Sequence, residues 1–129
     1  MNLEGIDHVA LSVSDVEHSA KWYIDVLGFK RRFDGMWDGV PVFVGLGKTA
    51  IALFPMRSGK PTSSGSVAGP RILHLAFRTD RKGFDGAQGE LTNRGIPFDF
   101  QDHEISNSIY FRDPDGHELE ITTYEMDKQ

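Results

Sequence analysis

Ile6-Asp7-His8-Val9-Ala10-Leu11 returns 66 residues later as Ile72-Leu73-His74-Leu75-Ala76-Phe77. An internal repeat of this kind constrains the fold more than any single motif. Leu27-Gly28-Phe29 through Phe33 comes back as Arg94-Gly95-Ile96 through Phe100 at a shift of 67, and Ala50-Ile51-Ala52-Leu53 as Glu118-Leu119-Glu120-Ile121 at a shift of 68. A near-constant offset over three stretches means two copies of one module.

Each copy opens on an alternating strand, 5–13 and 71–79. A helix follows. In the first copy Ser14-Asp15-Val16-Glu17 has the S-x-x-E form of a capping box, Val16, Ala20, Tyr23, Ile24 and Leu27 make an apolar stripe, and Gly28 ends it. In the second copy Phe84, Ala87 and Leu91 form the stripe and Gly95 with Pro97 the stop, while Gly83, Gly86 and Gly89 weaken the interior. Three strands then complete each module: 29–34, 39–46 and 49–55, and 97–102, 107–112 and 117–124. Turn signals such as Asp34-Gly35, Gly47-Lys48 and Asp113-Pro114-Asp115-Gly116 separate most of them. The expectation is a single α+β domain over 1–129, built of two βαβββ modules, 1–56 and 71–129. The Gly-, Ser- and Pro-rich stretch 57–70 joins them.

Length and composition agree with this. A chain of 129 residues, 39% hydrophobic and 26% charged, buries roughly two-thirds of its unfolded surface on folding and needs no staples. With no cysteine there is neither a disulfide framework nor a thiolate metal site nor a Cys nucleophile. Any metal is left to His, Asp, Glu or backbone oxygens. A net charge of −5 offers no cationic field for a polyanion, so nucleic acid is not an expected partner. Met1-Asn2-Leu3-Glu4-Gly5 lacks the basic and apolar segments of a secretory signal, and no run of 18 apolar residues occurs; the expectation is a soluble cytoplasmic protein without a membrane partner.

Alternation sorts the strand residues onto two faces. Val9, Leu11 and Val13 share one face of the first strand, and Leu73, Leu75 and Phe77 share one face of its repeat; a helix covers these apolar faces. His8 and His74 are left on the opposite, concave face of a curved sheet. In the last strand Leu119 and Ile121 go with the helix, which sends Glu120 the way of the histidines. Two imidazoles and a carboxylate make the 2-His-1-carboxylate set of an open-sided divalent metal site.

The paired modules, the Ile-Asp-His-Val opening, Tyr23-Ile24-Asp25-Val26-Leu27-Gly28-Phe29 and the run from Ser108-Ile109-Tyr110-Phe111-Arg112 through Asp113-Pro114-Asp115-Gly116-His117-Glu118-Leu119-Glu120 resemble the vicinal oxygen chelate superfamily. It includes glyoxalase I, extradiol dioxygenases, fosfomycin-resistance enzymes and bleomycin-resistance proteins. The resemblance implies a cupped sheet around a divalent cation (Fe²⁺, Mn²⁺, Zn²⁺ or Ni²⁺) held by His8, His74 and Glu120. It also implies a small substrate chelating through adjacent oxygens, and a homodimer. Glyoxalase I has a fourth ligand where this chain has Ala52, and a methyl binds no metal. Extradiol dioxygenases match better, with a tyrosine where Tyr110 stands and a histidine near His103, but their acid-base His before the second ligand has no counterpart in 57–73. Fosfomycin-resistance enzymes share the triad, yet Asp102-His103-Glu104-Ile105-Ser106-Asn107 lacks their cations. The rival class is a metal-independent drug-sequestering protein.

The expected reaction is dioxygenase-like or lyase/isomerase-like, with Tyr110 and His103 as catalytic candidates. Two readings stay open for Tyr110, hydrogen-bond donor to a bound oxygen or satisfied core tyrosine, and two for His103, acid-base partner or solvated loop residue. Met36, Trp37, Phe43 and Phe54 either wall an apolar substrate or simply pack. His18 and His117 read as surface residues.

Overall fold

The computed structural model describes residues 1–56 and 70–126. The expected linker 57–70 lies outside them except for Pro70. The chain divides into two compact units, Met1–Ser63 and Ser64–Gln129, each carrying one helix and one four-stranded sheet.

In the first unit β1 (Val9–Val13), α1 (Val16–Leu27), β2 (Lys30–Arg32), a 3₁₀ stretch (Met36–Gly39), β3 (Val42–Leu46) and β4 (Thr49–Pro55) follow in order. The sheet order is β1-β4-β3-β2, with β1 parallel to β4 and the other pairs antiparallel. The second unit repeats this with β5 (Leu75–Arg78), α2 (Arg81–Asn93), β6 (Asp99–Asp102), β7 (Asn107–Arg112) and β8 (Glu118–Thr123), in the order β5-β8-β7-β6. The α+β fold of two βαβββ modules expected from the repeat is what forms. Parallel β1–β4 pairing needs a long crossover, and α1 with the β2–β3 hairpin supplies it.

Val13, Ala20, Tyr23, Phe29, Val44, Ile51 and Leu53 make the core of the first unit, and Phe84, Leu91, Ile109, Phe111 and Leu119 that of the second. Fully burying side chains of this size stabilises by roughly 1.5–3 kcal/mol each, which is why the odd-numbered residues of β1, β4 and β7 face the helices.

Several local expectations are corrected. The opening strands are shorter than 5–13 and 71–79, and both begin just after their histidine. Alternation continues upstream, but β1 and β5 are edge strands with a ladder on one side only, and a strand ends where pairing does. The N-cap of α1 is Asp15, not Ser14: its carboxylate accepts from His18 N at 3.0 Å. Glu17, read as the capping-box acid, pairs instead with Arg31 on β2, tying helix to sheet. Gly28 closes α1 at φ 76, a left-handed conformation that favours glycine.

The glycines of α2 do not break it. Asp80 caps it by accepting from Gly83 N at 2.7 Å, and a Cβ on Gly83 would meet Thr79 Oγ1 at 2.0 Å. That glycine is there for close approach, not by neglect of helix propensity. Arg81 opens the helix and grips the chain beyond β8: its Nε donates to Glu125 O at 2.8 Å and its guanidinium to Asn107 Oδ1 at 2.8 Å. Among the described residues no helix is long and apolar enough to cross a membrane.

Candidate functional site

In the second unit the face of the sheet away from α2 is polar. Register places Glu120 on β8 opposite Ala76 on one side and Tyr110 on the other, with Ser108 opposite Thr122 two pairs further along, on the same face. Glu120 is buried, with 8% of its surface exposed, and a buried carboxylate is costly unless its oxygens are engaged. Both are. His74 Nε2 lies 2.9 Å from Oε1, and the Ser108 hydroxyl donates to Oε2 at 2.6 Å. Ser108 Oγ also lies 3.0 Å from Thr122 Oγ1; with the Ser108 proton given to Glu120, the Thr122 hydroxyl donates either to Ser108 Oγ or to Asn107 O, 3.2 Å away.

Tyr110 stands edge-on to His74, ring centroids 5.7 Å apart. Its hydroxyl lies 3.1 Å from His103 Nε2. Burial, chiefly, and the negative charge of Glu120 push the phenol above its ordinary value of 10.0, so the group is a neutral donor throughout the physiological range. The alternation of β7 thus sets Tyr110 beside His74 and Glu120. His103, an exposed residue just after β6, is brought to it by the β6–β7 hairpin, in which Asp102 pairs with Asn107. Arg112, two residues beyond Tyr110 on β7 and so on the same face by alternation, turns its guanidinium to Gly116 O at 2.7 Å. His18 is exposed and His117 half-buried after its turn.

His8 belongs to the first unit. It precedes β1, with Nδ1 2.8 Å from the carboxylate of Asp7 and its ring against Phe43 at 5.2 Å. Asp7 on Nδ1 leaves Nε2 as the ring's remaining ligand atom, the arrangement by which carboxylates orient metal-binding histidines. The face that holds Glu120 in the second unit holds Ala52 in the first, fully buried and registered with Ala10 and Phe43. Phe43 is therefore the counterpart of Tyr110.

The chemistry of the donors fits a divalent ion: an imidazole nitrogen and a buried carboxylate oxygen lie together in the second unit, and an imidazole oriented by Asp7 stands in the first. Among the described residues no group of three His, Asp or Glu side chains lies together around one point. Sequence reasoning missed Ser108 as the partner of Glu120, although the alternation that places Tyr110 also places Ser108 two residues earlier. It missed Asp7 on His8 altogether, since adjacency along a chain does not say which way two side chains turn.

Two modules of one topology, each with a histidine before its first strand and a buried position at the centre of its last, define a class. The chain belongs to the Glyoxalase/Bleomycin resistance protein/Dioxygenase superfamily, whose model matches residues 5–121. It is 30% identical to the metallothiol transferase FosB of Staphylococcus epidermidis over 95% of this chain and 84% of that one. It is 28% identical to the catechol-2,3-dioxygenase of Bacillus subtilis over 96% of this chain, though only 45% of that longer protein. The crystal structure of a glyoxylase/bleomycin resistance protein/dioxygenase domain from Frankia sp. superposes with a TM-score of 0.77 at 26% identity, covering 99% of this chain and 96% of that one.

Proposed function

We propose that this protein is a divalent-metal-dependent enzyme of the glyoxalase/dioxygenase type, acting on a small substrate with two adjacent oxygens, and that His8, His74 and Glu120 are its ligands. The observation that carries the reading is the His74–Glu120 pair at 2.9 Å, a buried carboxylate locked by Ser108 on a face that also presents Tyr110. His8, His74 and Glu120 would hold Fe²⁺, Mn²⁺, Zn²⁺ or Ni²⁺, which would supply Lewis-acid polarisation of a substrate oxygen and, were the ion redox-active, dioxygen chemistry. The chain supplies the rest. Ser108 holds the Glu120 carboxylate in one orientation. Tyr110, neutral and half-buried, donates a hydrogen bond to a substrate oxygen as charge develops there. His103 Nε2, against the same hydroxyl, takes up or returns its proton.

A homodimer is part of this reading. The sheets end on the edge strands β1 and β5, and Ile6, Ile72 and Leu73 beside those edges are 65% to 80% exposed, a combination that favours pairing with another chain.

Metal analysis tests the ligands. Protein purified without added metal should carry a divalent ion, and His74→Ala should retain under a tenth of it with an unchanged circular dichroism spectrum, since each module has its own core. Full occupancy in the variant overturns the assignment. The similarity to a metallothiol transferase favours a second reading, transfer of a thiol to fosfomycin. Metal-dependent consumption of a thiol in the presence of fosfomycin, against turnover of a catechol or 2-oxoaldehyde with and without oxygen, separates the two.

A further inference from the structure

The first unit carries an aromatic corner that its core does not need. Phe33, Trp37 and Phe43 pack with centroids 5.3 to 5.7 Å apart, and Phe43 also meets His8. Yet Phe33 is 57% and Trp37 49% exposed, so neither ring gains the stabilisation that burial gives. The backbone beneath them is unfavourable: Phe33, Trp37 and Asp38 take φ of 56°, 55° and 53°, the left-handed region that non-glycine residues enter at a cost. Three such residues within six positions, holding two rings half in water, are poor economy for packing alone. Beside the rings a cleft of about 510 Å³ is lined by Phe33 and Phe43 together with Arg32, Lys48, Glu4 and Asp7. Its two cations balance its two carboxylates, and Arg32 is turned to Gly47 O at 2.6 Å. A neutral occupant suits this lining better than an anion. Phe54, on the other hand, makes no ring contact with Phe33, Trp37 or Phe43 among those resolved between described residues.

From this we infer that the Phe33–Trp37–Phe43 corner is the specificity wall of the site and that the substrate carries an uncharged, flat aromatic or conjugated ring, stacked there next to His8. The inference rests on the metal reading only for the placing of the ring beside a ligand. Edge-to-face packing of Phe33 against Trp37 and against Phe43 leaves ring faces open to a fourth, and aromatic side chains beside placed polar groups are a common lining of small-molecule sites.

Calorimetric titration of the full chain loaded with Zn²⁺ tests it with three probes: catechol, which has a ring and chelating oxygens; acetohydroxamic acid, which chelates without a ring; and 1,2-dimethoxybenzene, which has the ring without the hydroxyls. Phe33→Gly and Trp37→Gly should weaken catechol and 1,2-dimethoxybenzene tenfold or more and acetohydroxamic acid less than twofold. Their thermal midpoints should hold or rise, because glycine adopts these φ values freely. Unchanged binding of both ring probes overturns the wall, as does an equal loss of all three probes with a fallen midpoint, which marks a packing role. If no zinc binds, the metal reading fails on its own and the 1,2-dimethoxybenzene titration still decides the wall.

Discussion

The two units share one strand order and one register but have opposite chemistry at the same place. At the centre of its sheet the first sets Ala52 between Ala10 and Phe43, and the second sets Glu120 between Ala76 and Tyr110. Topology therefore fixes where a residue will stand, and side-chain identity alone decides whether the position is a ligand or a wall. Each unit is consistent within itself. Glu120 has Ser108 and His74 to engage its oxygens, whereas Ala52 is fully buried between Ala10 and Phe43, with no serine in the place of Ser108.

Ala52→Glu breaks the comparison most directly. It would place a charged group in a fully buried site without the serine that serves Glu120, and should cost about 3–5 kcal/mol, the range for an uncompensated buried charge, read by urea unfolding at pH 7.5. A variant as stable as the parent and carrying tighter-bound metal would show that the first unit accepts a fourth ligand and that the asymmetry is superficial.

Tyr110→Phe makes the second unit resemble the first, since Phe43 is its counterpart. Fold and metal should survive, because the change is nearly isosteric. The rate on a turned-over substrate should fall by about 10²- to 10³-fold if the hydroxyl acts as an oxyanion-type donor. Since burial and Glu120 hold the phenol above 10.0, the wild-type rate should lose nothing to Tyr110 ionisation until the pH passes that value. Equal rates in the two proteins leave Tyr110 a packing residue.

Ser108→Ala has the smallest expected effect and sharpens the account of Glu120. Losing a hydrogen bond to a charged group costs about 1.5–3 kcal/mol, and metal affinity should drop by about 10- to 100-fold as the carboxylate loses its fixed orientation. A variant with parental affinity would mean that His74 alone orients Glu120.

The sequence by itself determined the repeat, the fold class, the end of α1 at Gly28, and the face on which Glu120 and Tyr110 lie. All of these depend on local periodicity, of two in strands and 3.6 in helices, or on one residue's backbone freedom, which a string of letters records. Only the tertiary structure decided that both histidines stand before their strands, that Asp15 rather than Ser14 caps α1, that Glu17 serves Arg31, and that Gly83 makes room for Thr79. The same is true of Ser108 on Glu120, His103 on Tyr110 and Phe43 in the place of Tyr110. These depend on which strand pairs with which and in what register, a choice set by burial summed over a whole sheet. Residues 12 or more apart in the chain meet only after that choice is made, as Ser108 and Glu120 do.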